Sequence, residues 1–248
     1  MAERPILFSG PMVRALLEGR KTMTRRVIKP QPIMEGVKSF GESWAWSEID
    51  KGGFSGVTEQ QMRAEYGLSQ SCPYGQPGDR LWVRETHCIH NAHGQHRDDG
   101  KRWGPWGGLP TTVSPDGTQI AYYREGFDRC DPSRWRPSIH MPRWACRIVL
   151  EVVSVRVERL QSISEEDAIA EGARWKDFGR DSHGLPLAGW SMEHPHPERP
   201  EQCLSSARMA FASFINKLHG GPNWNLKPSS LWDSNPWVWV VEFKRVQA

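Results

Sequence analysis

The chain has 248 residues, 38% of them hydrophobic and 25% charged, with a formal net charge of +3. That balance describes a soluble globular chain with a core of useful size and excludes a membrane-spanning one, since no apolar run nears the roughly 18 residues that cross a bilayer. Five scattered cysteines (Cys72, Cys88, Cys130, Cys146 and Cys203) without a C-x-x-C pair exclude a disulfide framework or a thiolate zinc site; with no signal-peptide core they point to the cytoplasm.

The first predicted element is a short helix. Ser9-Gly10 before Pro11 is a helix start, Val13, Leu16 and Leu17 have helical apolar spacing, and Gly19 supplies a left-handed stop. Around its end, residues 14 to 29 gather Arg14, Arg20, Lys21, Arg25, Arg26 and Lys29 against Glu18 alone, a local charge of +5. Crowded cations repel one another, so such a segment is expected to face an anionic or electron-rich partner. Lys21 and Thr24 would point to opposite faces of a regular strand, and they converge only if the chain turns between them.

Three polar, Gly/Pro-rich stretches, near 31–75, 88–118 and 173–202, show no sustained period and are expected as long loop insertions within one domain spanning 1–248. Between the first two, Arg84-Glu85 follows an apolar strand segment. The pair is either an exposed ion pair of little worth or part of a pocket wall. His87, Cys88, His90, His93 and His96 are rich in possible metal donors, but no further ligand follows at a zinc spacing, so no metal is expected.

From Trp144 to Val152 the even positions are apolar, and from Val153 to Val157 the odd ones are, which predicts a strand with a bulge near 153. Ser164 and Asp167 form a capping pattern, Ile163 and Ala168 a hydrophobic staple, and the helix they start ends near Gly172. Glu171 then sits at a helix C-terminus, where the macrodipole disfavours an anion. It needs a nearby cation, and neutralising it is expected to cost little stability. Cys203 to Leu218 is helical in spacing, with a stop at Gly220-Gly221. Trp237, Trp239, Val241 and Phe243 form the apolar face of a last strand. Most of the thirteen tryptophans are expected as anchors in core or loops, and a minority are suited to stacking on a base. No P-loop, dinucleotide fingerprint or serine triad order appears.

The segment Gly19-Arg20-Lys21-Thr22-Met23-Thr24-Arg25-Arg26 resembles the GRKTxTxR signature of the ASCH domain family. Pro77-Gly78-Asp79 with the strand behind it, and the last strand Trp237 to Phe243, resemble two further blocks of that family, most closely its longer phage and prophage members. The resemblance implies an α+β fold, a PUA-like mixed β-barrel with short flanking helices. It also implies hydrolysis of the amide of an N4-acylated cytosine nucleoside, as in the N4-acetylcytidine amidohydrolases. Their catalytic lysine, threonine and glutamate fall on Lys21, Thr24 and Glu171, with Arg20, Thr22, Arg26, Arg84 and Glu85 as candidates for substrate binding. A threonine hydroxyl needs a base to become a nucleophile, and a lysine serves as that base only if burial or neighbouring cations lower its pKa. No cofactor is called for. The alternatives are a PUA-like module that binds RNA or single-stranded nucleic acid without chemistry, and a phage-associated interaction protein.

Overall fold

The computed structural model describes residues 1–29, 31, 33–36, 42–46, 54–57, 72–92, 104–130, 132, 134–220 and 230–246, the strands within 33–57 as backbone. In chain order the first elements are β1 (Glu3–Leu7), α1 (Gly10–Leu17), β2 (Met23–Val27), and then β3 (Ile33–Gly36), β4 (Glu42–Trp46) and β5 (Phe54–Val57). Next come β6 (Arg80–Arg84), β7 (His87–Asn91), β8 (Thr111–Val113), β9 (Gln119–Tyr123) and β10 (Val149–Arg159). The rest are α2 (Glu165–Ala170), β11 (Arg174–Arg180), β12 (Pro186–Ser191), α3 (Ala207–Gly220), α4 (Leu231–Ser234) and β13 (Trp237–Val246). The architecture is α+β. The central sheet has the order β1-β6-β10-β13-β2, with β1 and β6 parallel and the other pairs antiparallel. Among the described residues it is an open row with β1 and β2 at its ends.

Residues of β1, β6, β10 and β13 alternate inward to meet α1, α2 and α3 in one core that includes Ile6, Val13, Leu16, Leu81, Leu150, Ala168, Phe211 and Val240. In β13 both faces are covered: Val238 and Val240 are buried as fully as Trp237, Trp239 and Val241. This is what a central strand between β10 and β2 requires.

The register of β10 on β13 shifts between Val152 and Ser154, and Val153 turns outward, 49% exposed. The bulge therefore lies where the apolar phase reverses. The strand itself starts at Val149, not Trp144, because Arg143–Ala145 closes a 3-10 turn behind Pro142. α3 starts at Ala207 instead of Cys203. Leu204 exchanges backbone hydrogen bonds with Trp190, and Glu165 of α2 accepts from the Ala207 N–H at 2.8 Å, capping the new helix. Gly221 lies outside the described residues.

The three stretches expected as loops contain strands. β3 to β5 form one sheet, β7, β9 and β8 another, and β11 with β12 a hairpin. Each strand is three to seven residues long, too short for a period to stand out between glycine turns. Among the described residues no helix is long and apolar enough to cross a membrane.

Candidate functional site

Lys21 lies between α1 and β2. Gly19, at φ +74, reverses the chain after α1, and the N–H groups of Arg20 and Lys21 both donate to the Ala15 carbonyl. Lys21 precedes the strand, so it escapes the alternation that β2 imposes, and it is buried together with Thr24. Thr22 is exposed, and its backbone ties this segment to both neighbours. Its N–H donates to Ala170 of α2 at 2.9 Å and its carbonyl accepts from Phe243 of β13 at 2.9 Å. Thr24 pairs in register with Val241.

Glu171 is the C-cap of α2. Ser164 Oγ accepts from the Asp167 N–H at the other end, and Ile163 and Ala168 pack in the same core. Only half of the capping box forms, because the Asp167 carboxylate turns to Arg25 and Arg156. Lys21 Nζ has three acceptors within hydrogen-bond reach: Glu171 Oε2 at 2.6 Å, the Glu171 carbonyl at 2.9 Å and the Met23 carbonyl at 2.7 Å. Arg20 Nη1 donates to the Gly172 carbonyl at 2.7 Å. Two cations thus sit on the carbonyls just past the end of α2, which explains how an anion is held at a helix C-terminus.

Both partners of the Lys21–Glu171 pair are shut off from water, Lys21 at 3% exposure and Glu171 at 1%. Burial pushes the Lys21 pKa below the ordinary lysine value; Glu171 opposes that shift, and Arg26 and Arg25 add to it. Glu171 Oε1 is buried without a hydrogen-bond partner, and Arg25 Nη1 stands 3.6 Å away. The expectation that neutralising Glu171 costs little stability leaves this burial out. It addressed the helix dipole alone, whereas removing one member of a buried pair strands the other.

Gly172 permits this closure. Its φ is +115, and a Cβ there would stand 3.1 Å from that of Ala15. We expect Gly172→Ala to lower stability by about 1–3 kcal/mol and to cut any activity of the site with it, measured by thermal unfolding and turnover of the same preparation.

The cationic segment finds its anions within the chain. Arg14 pairs with Glu125, Arg20 with Glu18, and Arg25 with Glu158 and Asp167. Arg26 donates to the Leu7 carbonyl, and its guanidinium lies 5.1 Å from the Phe8 ring centroid. Lys21 Nζ lies 5.6 Å from the same centroid, so Phe8 roofs the pair. These carboxylates lie 100 or more residues away in sequence, apart from Glu18, so the local charge count missed them.

Arg84 and Glu85 do not pair with each other. Glu85 is buried and gripped by Arg147, with Nε to Oε1 and Nη2 to Oε2 both at 2.8 Å, and Arg147 lies 4.0 Å from the Tyr123 ring centroid. Burial raises the Glu85 pKa and Arg147 opposes the rise. Arg84 lies over Trp82 and donates to the Ile139 carbonyl. Glu85 lines a cleft of about 310 Å³ with Thr86, Arg124, Glu125 and the start of α1. Arg147 had no signal of its own in the sequence beyond being a charge inside an apolar strand pattern.

His87 and His90 sit three apart on β7, so they point to opposite faces. His87 is buried with Nδ1 3.1 Å from the Glu85 carbonyl, and His90 packs edge-on to Trp106. His93 and His96 lie outside the described residues. Among the described residues no three His, Cys, Asp or Glu side chains gather as a metal site. The chain matches no protein-family model, no curated protein and no solved structure.

Proposed function

We propose that this protein is a metal-independent hydrolase that cleaves the amide of an N4-acylated cytosine nucleoside, on a PUA-like ASCH fold. One observation carries the reading. Lys21 and Glu171, 150 residues apart, meet at 2.6 Å in full burial while Glu171 Oε1 keeps an unused acceptor. Arg25 Nη1 stands 3.6 Å from Oε1, too far to hydrogen-bond, so that oxygen can take up a proton.

In this reading the Thr24 hydroxyl attacks the acyl carbon as neutral Lys21 takes its proton. Glu171 relays that proton to the departing exocyclic nitrogen, so cytidine leaves and the acyl group stays on Thr24 Oγ1. Water then attacks the ester, giving up a proton to the same pair, and releases the carboxylic acid and free Thr24. Phe8, whose ring lies against Lys21 Nζ and the Arg26 guanidinium, must give way to admit substrate. Thr22 is exposed and Arg20 half-buried, and in this reading both meet the substrate as it enters.

The purified protein is expected to convert N4-acetylcytidine to cytidine, followed by chromatography, at a rate unchanged by a chelator. Because the base is neutral Lys21, kcat should rise with pH, with the midpoint of the rising limb below the usual lysine value of about 10.4. Loss of turnover on chelation would overturn the proposal. So would tight oligonucleotide binding with a steep salt dependence and no turnover, which is the behaviour of a nucleic-acid-binding module.

A further inference from the structure

We propose that Arg25, clamped by Asp167 and Glu158, is a positioning residue that holds a fixed positive charge against the Lys21–Glu171 pair and so governs where the pair's proton sits. The inference rests on the hydrolase reading only for its consequence in catalysis. Arg25 falls on a variable position of the GRKTxTxR pattern, and its side chain has no exposed surface. Nη2 donates to Asp167 and, at 3.2 Å, to Glu158 Oε2; Nη1 lies 3.3 Å from Met23 Sδ and 3.6 Å from Glu171 Oε1. The last distance is too long for a hydrogen bond. Arg25 therefore acts on Glu171 through its field, which is strong where water is excluded.

The clamp is itself held from behind. Arg156 of β10 donates to Glu158 Oε1 at 2.6 Å, to Asp167 Oδ2 at 3.1 Å and to Glu242 of β13. From inside outward the charges alternate: Lys21, Glu171, Arg25, then Asp167 with Glu158, then Arg156, then Glu242. Side-chain exposure climbs along the same path, from 0% at Lys21 to 35% at Glu242. The other groups facing the pair are Arg26 from β2, Arg20 from the turn after α1, and the Phe8 ring.

This order gives opposite signs to two substitutions. Without the Arg25 charge, Lys21 faces a more negative surrounding and holds its proton more tightly. Without the Asp167 charge, Arg25 is less compensated and Lys21 gives up its proton more readily. A network that only braced β2 against α2 would change stability in both cases without moving Lys21 in opposite directions.

The test is a pH titration of the full-length protein labelled at lysine 13Cε, with the Lys21 signal assigned by its loss in Lys21→Arg. Asp167→Asn and Glu158→Gln should each shift the Lys21 midpoint down, by on the order of one pH unit for Asp167→Asn. Arg25→Gln should shift it up, and Arg25→Lys should leave it near the wild-type value. Asp167 and Glu158 are partly exposed, so those two variants keep the inference open to refutation even if Arg25→Gln fails to fold. A Lys21 midpoint unmoved by both overturns the inference. If wild-type protein turns over N4-acetylcytidine, the rising limb of kcat should follow the same shifts at unchanged KM. If it does not turn over and the titrations move as stated, the chemistry fails and the electrostatic role of Arg25 stands.

Discussion

Glu171→Gln is expected to lower N4-acetylcytidine turnover at least about a hundredfold, the usual scale for losing an acid–base group. Glutamine keeps the shape and one acceptor for Lys21 Nζ, so the geometry at 2.6 Å is largely preserved while the relay of the proton is lost. Lys21→Ala alone should fall as far, since Thr24 loses its base. Because both side chains act on one proton, the double variant should cost little more than either single change. Losses that multiply would mean that the two residues act independently. Normal activity per folded molecule in Glu171→Gln would make the carboxylate structural.

Lys21→Met is expected to lower stability by about 3–5 kcal/mol, because it leaves the Glu171 carboxylate charged, buried and short of its main partner. For a chain of this size that corresponds to a fall of roughly 6–20 °C in Tm. Lys21→Met with Glu171→Leu should recover most of the loss, since no charge then stays stranded and Arg25 keeps Asp167 and Glu158. Chemical denaturation of the wild type and three variants (two single, one double) gives the coupling directly. Additive single effects would show that the pair is not the interaction that holds the end of α2 to β2.

Local signals made much of the site legible. Ser164, Asp167 and Gly172 bound α2, so the position of Glu171 at its end followed from capping rules. Gly19 ended α1 before Lys21, and the apolar phase of β10 located its bulge at Val153. The partners were not legible. Arg25 read as one of several cations near Lys21 facing an outside anion, since nothing local shows that Glu158 and Asp167 arrive beside it. Glu85 was set beside Arg84 by adjacency, whereas strand geometry sends the two apart and Arg147, 62 residues on, takes the carboxylate. The small stability cost expected for changes at Glu171 left burial out for the same reason: a helix dipole is local, but burial is a property of the whole fold. β3 to β5 and the β11–β12 hairpin escaped notice because their strands are brief and their glycines imitate loop composition.

Among the described residues β2 pairs in the central sheet with β13 alone. The strand that carries Thr24, and the segment that sets Lys21 against Glu171, are therefore moored to residues 237–246 although none of those residues is a candidate for chemistry. A growing chain already holds the GRKT segment and its partners in α1, α2 and β10 before β13 exists, yet the strand pairing of β2 must wait for residues 237–246. Assembly of the site is tied to a contact spanning more than 200 residues, the kind that forms slowly because a long loop must first be closed. The pairing of β2 with β13 should therefore form in step with the final docking of the sheet, not with collapse of the core.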